Sequence, residues 1–437
     1  MAETLVTLTG EDALQHPFTV DTPGEAWAAL TLSAPGTSWS RGDPAVVTAD
    51  LDHLHQQEII LAGGEEPAEY LRLLGHVGPG THILRLRLQR ILSAPTARTV
   101  TICALRVGVV GDRDPAAFIW RHAPVLHYRA LDSQLDSLTT DTPLLLFYRA
   151  SAGPGGDGVE YHAVFSHEDE GTDLTGLLAR WGHTTDIEWI YRVRRAAGDE
   201  GSETTAAEFQ GPHHQTVLYH GGHALGGHPV LQVATRNGLV TDRVVCPFRA
   251  ALAPALAQPP GEPREGVLHQ FPWIYRVSGL EVHRQVALDP QRSPASPAAA
   301  DPRSYVFLQW KRAAGATLPL EAAVQAHGAW HTSAGGRRDL AFEGPDGEST
   351  AVMLPPGVTE VDVTGISLRA FEPPDGEAEI RLVRVFFLDE EYRPRPSLAA
   401  GGVCRLTSAR PHAIVWQRGQ RSPTSPDTPH SDEQCGE

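Results

Sequence analysis

The chain has 437 residues, 41% apolar and 20% charged, the balance of an ordinary globular protein with length enough for more than one core. Thirty-six basic residues stand against 53 acidic ones, a formal net charge of −17. Such a surface repels phosphate backbones and anionic membranes, so nucleic acid is not an expected partner.

No apolar run approaches the roughly 20 residues that cross a bilayer. The four cysteines, Cys103, Cys246, Cys404 and Cys435, are scattered without a C-x-x-C pair, which argues against a zinc ribbon or a disulfide scaffold. Lys311 is the only lysine and Asn237 the only asparagine, the usage of a high-GC bacterial gene. The first residues show neither a basic region nor an apolar stretch of the secretory kind, so a cytoplasmic location is the expectation.

The 42 glycines and 35 prolines mark frequent turns and short elements. In residues 1–111 strands are expected at 26–32, 45–51, 58–62, 70–77, 81–88 and 99–110. The clearest holds Leu84, Leu86 and Leu88 alternating with Arg85 and Arg87, a period of two that buries one face and wets the other. Short strands at this spacing predict a β-sandwich.

Residues 112–288 form the next block, with short helices expected at 114–121, 174–181 and 249–258. Here an aromatic pattern recurs, and the pentapeptide Trp-Ile-Tyr-Arg-Val occurs at both 189–193 and 273–277. Both copies read as strands with Trp, Tyr and Val inside and Arg outside. A Pro/Ala-rich spacer follows at 289–302. A second sandwich is expected over 303–398, with strands at 305–311, 351–354, 360–363, 366–371 and 379–388. A mostly disordered tail is expected at 399–437. The fold class is therefore all-β with minor short helices, arranged as several antiparallel β-sandwiches.

The densest chemistry lies between His167 and Trp189. Asp186 and Glu188, two apart on an extended segment, should share a face. Two carboxylates side by side repel unless a cation or an Arg sits between them. Arg192 would supply the plain solution; Ca²⁺ or Mg²⁺, held with oxygens from Asp169 and Asp173, would be the other. A second cluster is the glycine-rich segment carrying His213, His220 and His223, whose imidazoles suit Zn²⁺. Ser166 beside His167 lacks the G-x-S-x-G elbow of a hydrolase nucleophile. Trp330, in a short polar context, is the best exposed ring for stacking on a sugar, with Arg192 a further ligand contact.

Gly182-His183-Thr184-Thr185-Asp186-Ile187-Glu188 resembles the G-H-R-H-D-W-E heptapeptide of the necrosis- and ethylene-inducing-peptide-like proteins. It is also similar to the G-D-W-E core of a vacuolar-sorting-protein-like family. Gly182, His183, Asp186 and Glu188 match; Thr184, Thr185 and Ile187 depart. The resemblance implies a divalent-cation site at a β-sandwich mouth formed by His183, Asp186 and Glu188, which engages a lipid-borne sugar without turnover.

The expectation is thus a soluble β-sandwich protein that binds a glycan or polar headgroup through a divalent cation in its central block. A metal-dependent hydrolase of a glycan or ester is the alternative, with Asp186 or Glu188 as base and His183 or His220 as proton shuttle. A non-catalytic protein-interaction module is the third.

Overall fold

The computed structural model describes residues 6–10, 12–130, 141–151, 158–168, 172–195, 206–254, 256–258, 263–288, 300–312, 318–343 and 349–419. The all-β class holds: about half of the chain is strand, and the described residues form six sheets of four to six strands. It divides into two compact units. One comprises Met1–Leu178, His183–Arg303 and Leu388–Pro394; the other comprises Ala179–Gly182, Ser304–Phe387 and Arg395–Glu437.

The first unit opens with a sandwich. One sheet runs Val6–Leu8, Val100–Gly111, Gly24–Ser33, Ala68–Val77; the other runs Ala13–Val20, Gly80–Leu88, Ala45–Leu51, Leu54–Leu61. Alternation decides which side chains meet: Leu84, Leu86 and Leu88 point into the same core as Leu30, Leu32, Val47 and Ile59. The strands Ala45–Leu51 and Leu54–Leu61 are joined by Asp52 and His53, both at positive φ (50° and 70°), the two-residue loop whose twist suits a hairpin.

The rest of that unit packs two further sheets around another core that includes Tyr161, Tyr191, Val193, Phe209, Val230 and Leu231. The larger sheet runs Gln215–Leu218, Ala206–Gly211, Ile187–Arg194, Gly158–Phe165, Pro143–Ser151, Leu256–Ala257. Buried polar bonds tie these sheets to the first sandwich. His228 Nε2 meets Glu25 at 2.9 Å, the Arg249 N–H donates to Glu58 at 2.9 Å, and Tyr128 donates to the Glu58 carbonyl at 3.0 Å. Residues 1–111 and all of 112–288 but Ala179–Gly182 lie in one unit, and these long-range polar pairs join stretches that no local pattern links.

Several expectations are corrected. The copy of Trp-Ile-Tyr-Arg-Val at 189–193 is strand, flanked by Gly158–Phe165 and Ala206–Gly211. The copy at 273–277 opens the helix Trp273–Leu288. Pro272 sets its start, where the missing N–H is no loss. Ile274, Val277, Ser278 and Glu281, all buried, then recur at helical spacing. The helix expected at 249–258 is two short strands, Arg249–Ala251 and Leu256–Ala257, because Arg249–Ala251 completes a sheet beside Val125–His127.

The second unit is a sandwich whose sheets run Ser349–Met353, Tyr305–Arg312, Ala378–Phe386, Val403–Leu406 and Ala329–Thr332, Leu320–Ala326, Val363–Ala370, His412–Gln417. They share a core with Trp310, Phe342 and Leu368. Two strands thus fall inside the stretch expected to be a tail: Val403–Leu406 and His412–Gln417 bury Cys404, Leu406 and Ala413. Residues 420–437 lie outside the described residues, as do 289–299 of the spacer. The strand expected at 360–363 is the turn Glu360–Asp362, closed by reciprocal bonds between Thr359 and Asp362, a capping box.

Candidate functional site

The face of the larger central sheet opposite its core carries the most developed polar surface. Alternation along Gly158–Phe165 puts Val159, Tyr161 and Ala163 in the core and Glu160 and His162 on the other side. The same rule places Arg192 of Ile187–Arg194 and Glu208 and Gln210 of Ala206–Gly211 there. The register confirms the row, with Glu160 opposite Arg192 and Arg192 opposite Glu208.

Arg192 is the centre. Its Nε and Nη2 donate to Glu208 Oε2 at 3.2 and 3.0 Å, and its Nη1 donates to Glu160 Oε2 at 3.2 Å. Its guanidinium carbon lies 4.7 Å from the Trp189 ring centre, within range of a cation–π contact. The Arg192 side chain stays 29% exposed. Glu160 Oε1 meets His162 Nε2 at 2.9 Å. Burial pushes the Glu160 carboxyl up, but the bond to His162 and the charges of His162, Arg192 and Arg149 outweigh it and hold the group below its ordinary value. Burial lowers His162, whose ring stacks on Phe147 at 4.9 Å.

Two buried polar atoms on this face, His162 Nδ1 and Gln210 Oε1, have no hydrogen-bond partner among the described residues. The Gln210 amide nitrogen meets His214 Nδ1 at 2.6 Å, and that nitrogen lies 4.0 Å from Glu188 Oε2. His214 sits in the turn Pro212–His214, where His213 and His214 both adopt left-handed backbone, φ 63° and 58°.

Asp186 is sealed away. It is 3% exposed, and its Oδ2, also without a partner, lies so close to Gly238 that an added Cβ there would be 2.4 Å away. Burial first, then the charges of Glu188, Glu168 and Asp141, push its carboxyl well above the ordinary range, against the pull of Arg264. Glu188 is half-buried and reaches towards His214.

The other residues singled out in the motif also turn inwards. His183 Nδ1 faces the Thr185 carbonyl at 2.7 Å and its Nε2 lies 3.9 Å from buried Glu265. The Thr184 hydroxyl bonds Ser278 of the helix Trp273–Leu288 at 2.6 Å. From His183 to Asp186 the segment is thus the seat of a helix. Asp173 is exposed and accepts the Gly176 N–H at 2.7 Å, bonding the first turn of the helix Leu174–Trp181 in the manner of a cap. Asp169 lies outside the described residues.

Among the described residues no three His, Cys, Asp or Glu side chains are grouped to hold a metal ion. This applies to His183, Asp186 and Glu188, and equally to the histidine segment. There His213 stays in its turn, the His220 N–H donates to Asp242 at 3.0 Å, and His223 packs edge-on to Tyr219.

Ser166 and His167 do meet a carboxylate, but in the interior. Ser166 Oγ is 2.7 Å from His167 Nδ1, which lies 3.6 Å from Glu281 Oε2. Glu281 also accepts from Trp39 Nε1 at 2.6 Å and from Arg284 Nε at 2.9 Å. Ser166, His167 and Glu281 are fully buried, so no substrate reaches them. Their bonds hold the helix to the sandwich.

In the second unit Trp330 is 43% exposed. Its ring lies over Gly365, where a Cβ would be 3.2 Å from Cη2, and its strand pairs it with Gln325. It stands on an outer face, as its polar context suggested. Glu160, His162 and Glu208 were not singled out by sequence; Gln210 and His214 fell in the histidine-rich segment without a role of their own, and Trp189, expected inside, lies opposite His162 and beside Arg192 because the register shifts there. The alternation of Glu160 and His162 with Val159 and Tyr161 was the available signal; the pairing with Arg192 was not.

No family model matches this chain, and no curated protein matches it. Among solved structures it is similar to the C-terminal domain of EclA, a sugar-binding protein, at 13% identity and a TM-score of 0.19, over 25% of this chain and 79% of that one. It is also similar to a family two carbohydrate esterase from Clostridium thermocellum in complex with cellohexaose, at 10% identity and 0.16, over 32% and 35%. A third is a Paenibacillus sp. cycloisomaltooligosaccharide glucanotransferase complexed with cycloisomaltoheptaose, at 10% and 0.17, over 55% and 39%. Likenesses this slight fix neither fold nor function.

Proposed function

We propose that the protein binds a polyhydroxylated ligand, a neutral glycan or the sugar of a headgroup, on the outer face of the central sheet around Arg192 and Trp189, and does not turn it over. The observation that carries this reading is the partly exposed ring and guanidinium on that face: Trp189 is half-buried, and Arg192, 29% exposed, lies with its guanidinium carbon 4.7 Å from the ring centre. The apolar face of a sugar packs on such a ring, and its hydroxyls can donate to the flanking carboxylates and accept from the guanidinium. The Arg192–Glu160–Glu208 cluster holds the surrounding side chains in fixed positions.

Binding is favoured over turnover by accessibility. The Ser166–His167 contact is sealed, and the raised carboxyl of Asp186 lies under Gly238. No cation enters the reading, since the described donors do not assemble around one. No helix among the described residues is long and apolar enough to cross a membrane.

The test is calorimetric titration of the whole chain with neutral oligosaccharides, with and without chelator. Trp189→Ala is expected to weaken binding about twofold to tenfold, the equivalent of a stacking contact worth about 0.5–1.5 kcal/mol. Binding untouched by Trp189→Ala and Arg192→Ala would move the site elsewhere. Binding abolished by chelator would reinstate a divalent cation at Asp186 and Glu188.

A further inference from the structure

The second unit has an outer sheet face that the reading above does not use. In the sheet Ala329–Thr332, Leu320–Ala326, Val363–Ala370, His412–Gln417, Val324 and Ile366 point into the core, so the residues on either side of them along each strand point out. The register sets those outward side chains in rows. One row holds Trp330, Gln325 and Gly365, the next holds Ala323, Ser367 and Ile414, and a third pairs Glu321 with Arg369. Trp330 and Ile414, 43% and 52% exposed, stand on the two outer strands. The two middle strands put Ala323, Ser367 and Gly365 between them, small residues that leave a shallow groove along the face.

The Trp330 ring lies down in this groove. Its strand and that of Gly365 are separated by Leu320–Ala326, a span of about 10 Å at the usual strand spacing, yet a Cβ on Gly365 would be 3.2 Å from Trp330 Cη2. The indole reaches that far only by lying along the sheet, with one face on the strands and the other towards solvent. Gly365 is ordinary strand, not left-handed, so the glycine supplies room for the ring rather than a turn. Beside it the Thr364 hydroxyl donates to Gln325 Oε1 at 3.2 Å, which leaves the amide N–H₂ to donate elsewhere. Four positions along the same strand, about 13 Å away, Glu321 accepts from Arg369 Nη2 at 2.5 Å and from the Gly336 N–H at 2.7 Å. The Arg369 side chain is 46% exposed, and its fork has further N–H groups to give.

We propose that this groove is a second ligand site, one that binds a neutral oligosaccharide. The apolar face of one sugar packs on the Trp330 ring. Its hydroxyls accept from the Gln325 amide, and those of a sugar further along the ligand accept from Arg369. Charge decides for a neutral ligand: Glu321 already balances Arg369, so the pair offers donors without a net charge. The same pair withholds Glu321 from chemistry, since both its oxygens are taken and the carboxylate is buried. A protein partner requires a continuous apolar centre, whereas here a ring and an aliphatic side chain are set among amides and hydroxyls. The site shares no residue with the Arg192 face, and either stands without the other.

Fluorine spectra of the full chain carrying fluorinated tryptophan report each indole separately. The Trp330 and Trp189 signals are identified by their loss in Trp330→Phe and Trp189→Phe, and the unchanged signals of the other tryptophans show that each variant keeps the fold. The probes are neutral glucose, mannose and xylose oligosaccharides, α- and β-linked. The expected result is a Trp330 signal that moves saturably with at least one of them. A Trp330 signal that none of them moves overturns the proposal. Movement at Trp330 alone leaves this site standing and fails the Arg192 reading; movement at Trp189 alone does the reverse.

Gln325→Leu keeps the ring and the packing beneath it but removes the donor. The affinity read at Trp330 should then fall about twofold to tenfold, the worth of one hydrogen bond. An affinity unchanged by Gln325→Leu would mean that the sugar touches the ring from outside the groove, and would refute the groove as the site. An oligouronate that binds at Trp330 more tightly than its neutral counterpart would overturn the assignment of a neutral ligand.

Discussion

Asp186→Asn isolates the most unusual electrostatic feature of the molecule. The wild-type carboxyl is fully buried, one oxygen lacks a partner, and its anionic neighbours Glu188, Glu168 and Asp141 outweigh Arg264. Its folded-state pKa is therefore raised. In the unfolded chain an aspartate ionises near pH 4. Below that point both states hold the proton and Asp186 adds no slope. Above it the unfolded chain sheds the proton and the folded chain keeps it. Stability then falls by up to about 1.4 kcal/mol per pH unit, until the folded-state pKa is passed. Asparagine has the same outline and cannot ionise, so the variant lacks this slope. Its amide brings a constant offset, from an added donor against Gly238, so the decisive quantity is the difference in unfolding free energy between the two proteins as a function of pH. Urea unfolding from pH 4 to 9 should show that difference moving steadily in favour of Asp186→Asn as pH rises. A flat difference across the range would mean that Asp186 ionises alike in both states, and would refute the burial argument.

Three further outcomes follow from the same geometry. Gly238→Ala should lower stability by about 2–5 kcal/mol in denaturant unfolding: Gly238 has φ 69°, and its Cβ would meet Asp186 at 2.4 Å and the Phe165 ring at 2.7 Å, adding overpacking to left-handed strain. Arg129→Ala removes the partner of Asp141 at 2.6 Å, in a pair with side chains 5% and 0% exposed; thermal unfolding should report a loss of about 3–5 kcal/mol. His213→Gly relieves one left-handed residue (φ 63°), so the variant should be as stable as the parent or up to about 1 kcal/mol more stable by urea unfolding. A clear destabilisation there would show that the His213 side chain makes a contact worth more than its strain.

Much of the sandwich architecture was legible because burial on one face leaves a period of two in the sequence. The strand Ala45–Leu51 falls where it was expected, and Gly24–Ser33, Gly80–Leu88 and Tyr305–Arg312 within one or two residues. Where the local signal was shared by two structures, position decided. Trp-Ile-Tyr-Arg-Val serves as strand between two partners and as helix after Pro272, because its alternating and its i, i+3 apolar positions satisfy both periods. The strands Val403–Leu406 and His412–Gln417 were missed since each alternates over few residues in a polar stretch, and only the neighbours Ala378–Phe386 and Val363–Ala370 make them strands. The site fared less well for the same reason. Arg192 and Trp330 are visible as single residues, whereas the Glu160 and Glu208 that flank Arg192 lie 32 and 16 positions away, joined only by register.

Two polar clusters of the first unit show why chemistry-bearing residues alone do not locate a function. Ser166, His167, Glu281, Arg284 and Trp39 comprise the residue types of a hydrolase centre, yet each is buried and bonded to another, with Glu281 accepting from an indole and a guanidinium. Such a network is saturated, and its effect is to fix the helix Trp273–Leu288 against the sandwich. The face around Arg192 holds commoner residue types, but it stays open: the side chains of Arg192, Glu208 and His214 remain 29%, 31% and 57% exposed. Donors, acceptors and a ring that solvent already reaches are groups an incoming ligand can meet without disturbing the fold. On that criterion the sheet face is the place to look for a ligand, and the Ser–His–Glu network is scaffold.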